Sequence, residues 1–391
     1  MKSCGVIAEY NPFHNGHRYQ LEKAKKQTGS DVMLVVMSGN FTQRGEPAIL
    51  DKWKRAEMAL LNGADLVVEQ DVLGSVQAAD LFAKAGVRLL QRLECNQLSF
   101  GAESGTATQF LEITQQQIVN KEAINVAFQL KRNDGRTYPA QMQEALTEVL
   151  GSELSFPIWE PNNQLGLSYL RENAQYVRPM EAIVIKRQGA KHHDELDREQ
   201  EFASGTAIRG LLETDDLESL AKWVPENAVD LLRSAAKVSW DDLWPLLRYR
   251  LVSDDVSTLH KIYQMEEGIE HRLKKKVLDA GSFSDFIGLV KNKRWTWTRL
   301  QRLCVMTLLG ITKSDVADFF EEPPPIRVLG FTKQGQQYLS QLKKKGVPFI
   351  TNLTQSNHVE IQQILKADDI YRLANKEEIR EQNFTRQPIK V

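Results

Sequence analysis

His14 and His17 stand three residues apart, with Gly16 between them, in the run Gly5-Val6-Ile7-Ala8-Glu9-Tyr10-Asn11-Pro12-Phe13-His14-Asn15-Gly16-His17. At the start of a helix this spacing puts both rings on one face, beside unpaired backbone N–H groups where the helix dipole favours a negative ligand. A phosphate group fits that description, and Gly16 leaves room for it to approach the backbone. A second candidate, Ser204-Gly205-Thr206-Ala207-Ile208-Arg209, opens another helix, with Ser204 as a plausible N-cap. Lys274, Lys275, Lys276, Lys293, Arg294 and Arg299, interleaved with Trp295 and Trp297, suit an RNA surface, although, taken alone, a solvated helix face is the better explanation of the charges.

The elements that must position these residues follow from apolar patterning. A strand over 6–8 runs into a turn marked by Asn11-Pro12 and Asn15-Gly16, and Tyr19, Leu21 and Ala24 then recur among basic residues as in a helix. Apolar runs at 31–37, 65–69, 97–101 and 181–186 predict further strands, with helices over 51–61, 75–93 and much of 105–150. Alternation of this kind predicts a parallel sheet whose strand ends share one edge, where ligands bind. The histidine loop, Ser38-Gly39, Gly101 and Arg187 all fall at such ends. Lys52 to Arg55 reads as the exposed face of a helix.

Beyond a polar junction at 213–216 the chain reads as helical to about residue 320, with Trp223, Trp240 and Trp244 spaced for core or interface packing. Pro323-Pro324-Pro325 breaks that pattern, and 327–331, 333–345 and 347–351 predict a small strand-helix-strand end piece. The charged tail from Asn375 is expected to fray.

With 391 residues the chain is long enough for two or three domains, and its net charge of −1 confines any nucleic-acid surface to a local patch. The 42% hydrophobic and 26% charged content is that of a soluble globular protein, and no apolar run approaches the roughly eighteen residues of a membrane span, so cytoplasm is the expected location. Cys4, Cys95 and Cys304 are odd in number and far apart, which suits buried thiols and neither disulfides nor a zinc site. His192-His193-Asp194 could suggest a metal, but adjacent histidines point to different sides, so no metal ligand is assigned.

His14-Asn15-Gly16-His17 after a strand resembles the HxGH motif of the nucleotidyltransferase superfamily. Taken with Ser38-Gly39-Asn40-Phe41-Thr42-Gln43-Arg44-Gly45, Phe100-Gly101-Ala102-Glu103, Ile185-Lys186-Arg187, 204–209 and Lys293-Arg294-Trp295-Thr296, the whole chain resembles the bacterial tRNA(Met) cytidine acetate ligase family. The resemblance implies a Rossmann-like α/β catalytic domain over 1–212 and a mainly helical tRNA-binding domain over 213–391, with a sub-boundary near 322–326. It implies acetate and ATP as substrates, acetyl-adenylate as intermediate and N4 of the wobble cytidine in elongator tRNA(Met) as acceptor. Catalysis would fall to His14, His17, Ser204 and Arg209. ATP would meet Ile7, Ala8, Glu9, Tyr10, Asn11, Pro12, Phe13, His14, Asn15, Gly16, His17, Arg18, Tyr19, Gln20, Gly101, Asn162, Arg187 and Thr206. Mg²⁺ would arrive bound to ATP, since no dedicated carboxylate cluster is evident. The same resemblance leaves room for an acetate-activating ligase of the citrate lyase ligase type, acting on a protein thiol, and for a small-molecule adenylyltransferase.

Overall fold

The computed structural model describes residues 1–131, 136, 138–151, 154–188, 202–214, 216–354, 357–375 and 379–391. Its centre is a seven-stranded sheet of β1 (Ser3–Ala8), β2 (Val32–Ser38), β3 (Leu66–Gln70), β4 (Gln97–Ala102), β5 (Glu181–Lys186), β6 (Arg327–Phe331) and β7 (Ile389–Lys390), in the order β5-β4-β1-β2-β3-β6-β7. The first five strands run parallel, with Val6 opposite both Val35 and Ser99. β2 and β3 are buried at every position because helices cover both faces.

Crossovers between these strands are α1 (Asn15–Thr28), α2 (Lys52–Leu61), the short α3 (Val72–Ser75) with α4 (Ala79–Arg92), and a helical excursion between β4 and β5. That excursion holds α5 (Ala107–Val119), α6 (Lys121–Lys131), α7 (Tyr138–Leu150) and α8 (Pro161–Asn173), and α9 (Gly205–Glu213) comes after β5. Ile7, Leu34, Val36 and Val68 meet α4 and α8 on one face; Val6, Val35 and Val67 meet α1, α2 and α9 on the other. The helix expected over 75–93 is interrupted: α3 ends at Ser75 and α4 begins at Ala79, and between them Gln77 Nε2 donates to the Leu73 carbonyl at 2.7 Å.

Helices from 240 to 321 enclose a second core, in which the Trp240 and Phe283 rings stack at 4.1 Å beside Trp244 and Leu300, while the helices over 217–234 pack on the sheet. Trp223 instead packs beneath the sheet, so all three tryptophans are interior, as their spacing suggests.

Two expectations about the C-terminus need correction. The strand over 327–331 does not stand apart: β6 pairs antiparallel with β3 and extends the same sheet. The strand expected over 347–351 shrinks to one parallel bridge between Ile350 and Arg327. Nor is the end of the chain frayed. Ile379, Gln382 and Asn383 are buried, and β7 closes the sheet edge beside β6.

The expected exposure of Lys52 and Arg55 is also overturned, since both are fully buried. Lys52 Nζ reaches Glu69 Oε2 at 2.7 Å and Asp368 Oδ2 at 2.5 Å. Arg55 donates to the carbonyls of Leu50 (2.9 Å), Glu9 (2.7 Å), Ser38 (3.0 Å) and Gly39. It therefore clamps the ends of β1 and β2 where the site begins.

Candidate active site

The site is built at the carboxyl ends of β1, β4 and β5. Tyr10, buried and in the left-handed region at φ 51°, turns the chain sharply out of β1. Its ring meets Phe13 and His17 edge-on, each at 4.8 Å, which holds this unfavourable backbone in place. His14 is then the N-cap of α1, its Nδ1 accepting the Gly16 N–H at 3.1 Å, while His17 Nδ1 accepts the His14 N–H at 3.3 Å. The two rings stack with centroids 3.6 Å apart. A Cβ on Gly16 would stand 2.9 Å from His14 Cε1, so glycine is needed here to let the first ring fold over the helix.

This geometry alters one expectation. The first-turn N–H groups are not free for an anion: Asn15 donates to the Trp223 carbonyl at 2.9 Å, Gly16 to His14 Nδ1, and His17 to the His14 carbonyl at 2.9 Å. The donors pass instead to the imidazoles. With both Nδ1 atoms accepting backbone N–H bonds, each neutral ring carries its proton on Nε2. Burial, with the Arg187 guanidinium nearby, pushes His14 down to about 3; burial and His14 hold His17 well below the usual histidine range. Both rings are neutral donors at physiological pH.

A pocket of about 490 Å³, counted to its open mouth, is lined by His14, Gly16, His17, Tyr19, Gln20, Gly101 and Arg187 among the expected residues. A Cβ on Gly101 would stand 3.4 Å from Arg187 Cγ, so Gly101 lies directly against that side chain.

The sequence profile of the family described as HIGH Nucleotidyl Transferase matches residues 1–387. The tRNA(Met) cytidine acetate ligase of Ligilactobacillus salivarius is 40% identical over 396 residues, covering 100% of both chains. That of Bacillus subtilis is 37% identical, covering 97% of this chain and 94% of its own. The chain belongs to the tRNA(Met) cytidine acetate ligase family. The crystal structure of Thermotoga maritima TmcAL without ligand superposes with a TM-score of 0.90 at 29% identity, covering 100% of each chain. A second crystal structure of that protein, bound with alpha-thio ATP, gives 0.88, covering 100% of this chain and 99% of that one.

The remaining residues that the family resemblance nominates divide by position. Ser204 caps α9, accepting the Ala207 N–H at 3.2 Å, and Thr206 Oγ1 accepts from Arg209 Nη2 at 3.3 Å. Neither lines the pocket, nor does Arg209, but Arg209 Nη1 donates to the Asn11 carbonyl at 2.9 Å and joins this motif to the histidine loop. Asn162 sits in the first turn of α8, after Pro161 at the helix start, and its side chain donates to Glu103. Ile7, Ala8, Glu9, Pro12, Phe13, Asn15 and Arg18 do not line the pocket, and Arg18 instead pairs with Glu22 on the exposed face of α1 at 2.7 Å. The polar segment that begins at Gln188 is expected from the sequence to loop over the site, and Gln188 lines the pocket; sequence reasoning gave no role to Phe202. The Phe202 ring lies 5.4 Å from Tyr19 at the pocket wall, and its place two residues before Ser204 was the one available signal. His192, His193 and Asp194 lie outside the described residues. All three cysteines are free and buried.

Neutral, buried histidines also make stability depend on pH. Between 6.5 and about 3 the unfolded chain takes up a proton at His14 that the folded chain refuses, so this site costs stability as pH falls through that window. Urea midpoints at pH 7.5 and pH 5 should show a larger acid loss in the wild type than in His14→Asn, which keeps an N-cap residue without the titrating ring.

Proposed function

We propose that this chain joins acetate to ATP as acetyl-adenylate and then acetylates N4 of the wobble cytidine of elongator tRNA(Met). One observation carries the reading: two stacked, neutral imidazoles present Nε2–H donors to the pocket, next to Arg187. Acetate is a poor nucleophile facing a polyanion, so the site must screen charge and align the carboxylate with the α-phosphorus. An acetate oxygen attacks that phosphorus as the bond to pyrophosphate breaks, and no enzyme nucleophile is needed. His14 and His17 donate to the oxygens on which charge grows, and Arg187 supplies the fixed positive charge. Ser204, Thr206 and Arg209 at the head of α9 would meet the terminal phosphates and the leaving pyrophosphate. Mg²⁺ would enter with ATP as substrate; among the described residues no group of three metal-ligating side chains converges. Cytoplasm is the location this substrate set requires, and among the described residues no helix is long and apolar enough to cross a membrane.

The helical region is the part we assign to tRNA, on a narrower set of side chains than the sequence suggests. Lys274 Nζ donates to the carbonyls of Leu251 (3.0 Å), Val252 (3.2 Å) and Asp254 (2.5 Å), so it caps the helix Trp240–Ser253. Arg299 lies 3.7 Å over the buried Trp295 ring and donates to the Arg294 carbonyl at 3.2 Å. Lys276 faces Asp279 at 3.4 Å and Arg294 faces Glu267 at 4.0 Å. Among the described residues Lys275 and Lys293 are exposed and have no partner, and Trp297 is exposed where Trp295 is not. Neutralising Lys275 and Lys293 should weaken tRNA binding and flatten its salt dependence by about one unit per lost phosphate contact, whereas Lys274→Ala should act on stability. Filter binding across a salt series measures both.

Labelled acetate and ATP, with and without bulk tRNA, test the reaction itself. Label in tRNA supports the reading; label in protein points to a thiol acceptor, and no label in any product to a different chemistry.

A further inference from the structure

We propose that the Phe202 ring is the surface on which the nucleobase of ATP stacks, so that a Tyr19–Phe202 wall holds the base while His14, His17 and Arg187 hold the phosphate end. This rests on the reading of ATP as the substrate of the pocket. It gives a role to a residue that belongs neither to the histidine motif nor to the motif that opens α9.

Phe202 lines the pocket and lies against the histidine motif itself. The point where a Cβ on Gly16 would stand is 3.9 Å from Phe202 Cδ1 and 2.9 Å from His14 Cε1, so the phenyl ring and the first imidazole flank the same bare patch of the α1 backbone. From there the wall continues into Tyr19, whose ring centroid is 5.4 Å from that of Phe202. The two rings are inclined at 51°, so they lean together and do not cover one another's faces. Both side chains are only half-buried. The Lys23 ammonium stands 5.4 Å over the Tyr19 ring, whereas among the described residues no cation stands over Phe202.

The pocket lining is of two kinds. His14, His17 and Arg187 supply donors and positive charge, which suit phosphates; Tyr19 and Phe202 supply adjoining ring surface, which suits a flat heterocycle. The covalent order of ATP matches this arrangement. With the α-phosphate at the imidazoles, the base lies one ribose away, and the Phe202 ring begins beside the glycine that separates those imidazoles. Acetate has two carbons and would leave both rings uncovered. The acceptor base is a poorer occupant as well: every lining residue lies between 14 and 203, and none comes from the helices beyond 240 that are assigned to tRNA.

Stacking of this kind adds affinity without choosing among bases, because every base has a π face. It also acts away from the bond that breaks, so it holds ground state and transition state alike. Its removal should therefore raise KM for ATP and leave kcat nearly unchanged.

The test uses the full chain with Phe202→Ala, Phe202→Leu and Phe202→Trp. Calorimetry measures ATP binding, competition against ATP measures inorganic triphosphate, which has no base, and acetate-dependent pyrophosphate release gives kcat and KM. Phe202→Ala should weaken ATP binding about tenfold, the scale of one base leaving an aromatic ring, and triphosphate by less than about twofold. Phe202→Trp should bind ATP as the wild type does, and Phe202→Leu, which fills the space without a π face, should bind it as weakly as Phe202→Ala. Wild-type ATP affinity in Phe202→Ala, equal losses for ATP and triphosphate, or full recovery in Phe202→Leu would overturn the assignment. A wild type that does not bind ATP would instead overturn the reading on which it rests.

Discussion

His14→Ala and His17→Ala are each expected to lower acetate-dependent pyrophosphate release by about 10²-fold or more, the usual loss when one preorganised donor is removed from an electrostatic site. The rings cost nothing to reorganise at the moment of reaction, because backbone N–H groups fix both Nδ1 atoms and Tyr10 and Phe13 wedge His17 from behind. Since His14 also caps α1, alanine there removes a cap worth about 1 kcal/mol, and that loss must be separated from the catalytic one. His14→Asn separates them: it can cap the helix but not reach as the imidazole does, so it should fold like the wild type and lose activity like His14→Ala. The two rings touch, so the double variant should lose less than the product of the single losses. Folded variants that release pyrophosphate at near-normal rates would remove the basis for the proposed chemistry.

The parts legible in the sequence are those encoded by neighbouring residues. β1, the turn and α1 could be read because an apolar run, turn residues and a helical pattern follow one another within 28 residues, and the face shared by His14 and His17 follows from helical spacing. β2 and β3 announced themselves as apolar runs because both faces of the sheet are covered there. What escaped is set by partners far away in the chain. β6 reads as a strand locally, but nothing local says that it returns to pair with β3. Trp295 and Trp297 are equivalent on a sequence basis, yet one is buried beneath Arg299 and the other exposed. Lys274 looks like its neighbours until three carbonyls at the end of another helix claim its ammonium. A cation is assigned to solvent by default because burial without partners is costly, and the default fails wherever the partners come from elsewhere.

Lys52 is the strongest case of that failure, and Lys52→Ala is expected to cost about 3–5 kcal/mol, the penalty for breaking a buried ion pair by removing one side. Its ammonium bridges Glu69 at the end of β3 and Asp368, 316 residues further on, with no exposed surface on the lysine side chain. Without it two buried carboxylates are left, and Asp368 keeps only the amides of Asn40 (2.8 Å) and Asn383 (2.9 Å). Burial pushes the Asp368 carboxyl up and Lys52 pulls it back, so in the variant it should hold its proton to higher pH. The sign follows from linkage: the wild-type Asp368 carboxyl stands at about 7, and above that the folded variant still binds a proton that the wild type and the unfolded chain have released, so the gap between variant and wild type should widen as pH rises from about 7 to 9. Urea unfolding at both pH values measures this, and Lys52→Ala with Asp368→Asn should recover part of the loss, because one of the stranded charges is gone. A variant as stable as the wild type at pH 8 would show that the cluster does not hold the C-terminal segment to the sheet. If the loss is found, the effect should reach the site as well, since the helix that begins at Lys52 carries Arg55, whose guanidinium closes the ends of β1 and β2 beneath the histidine loop.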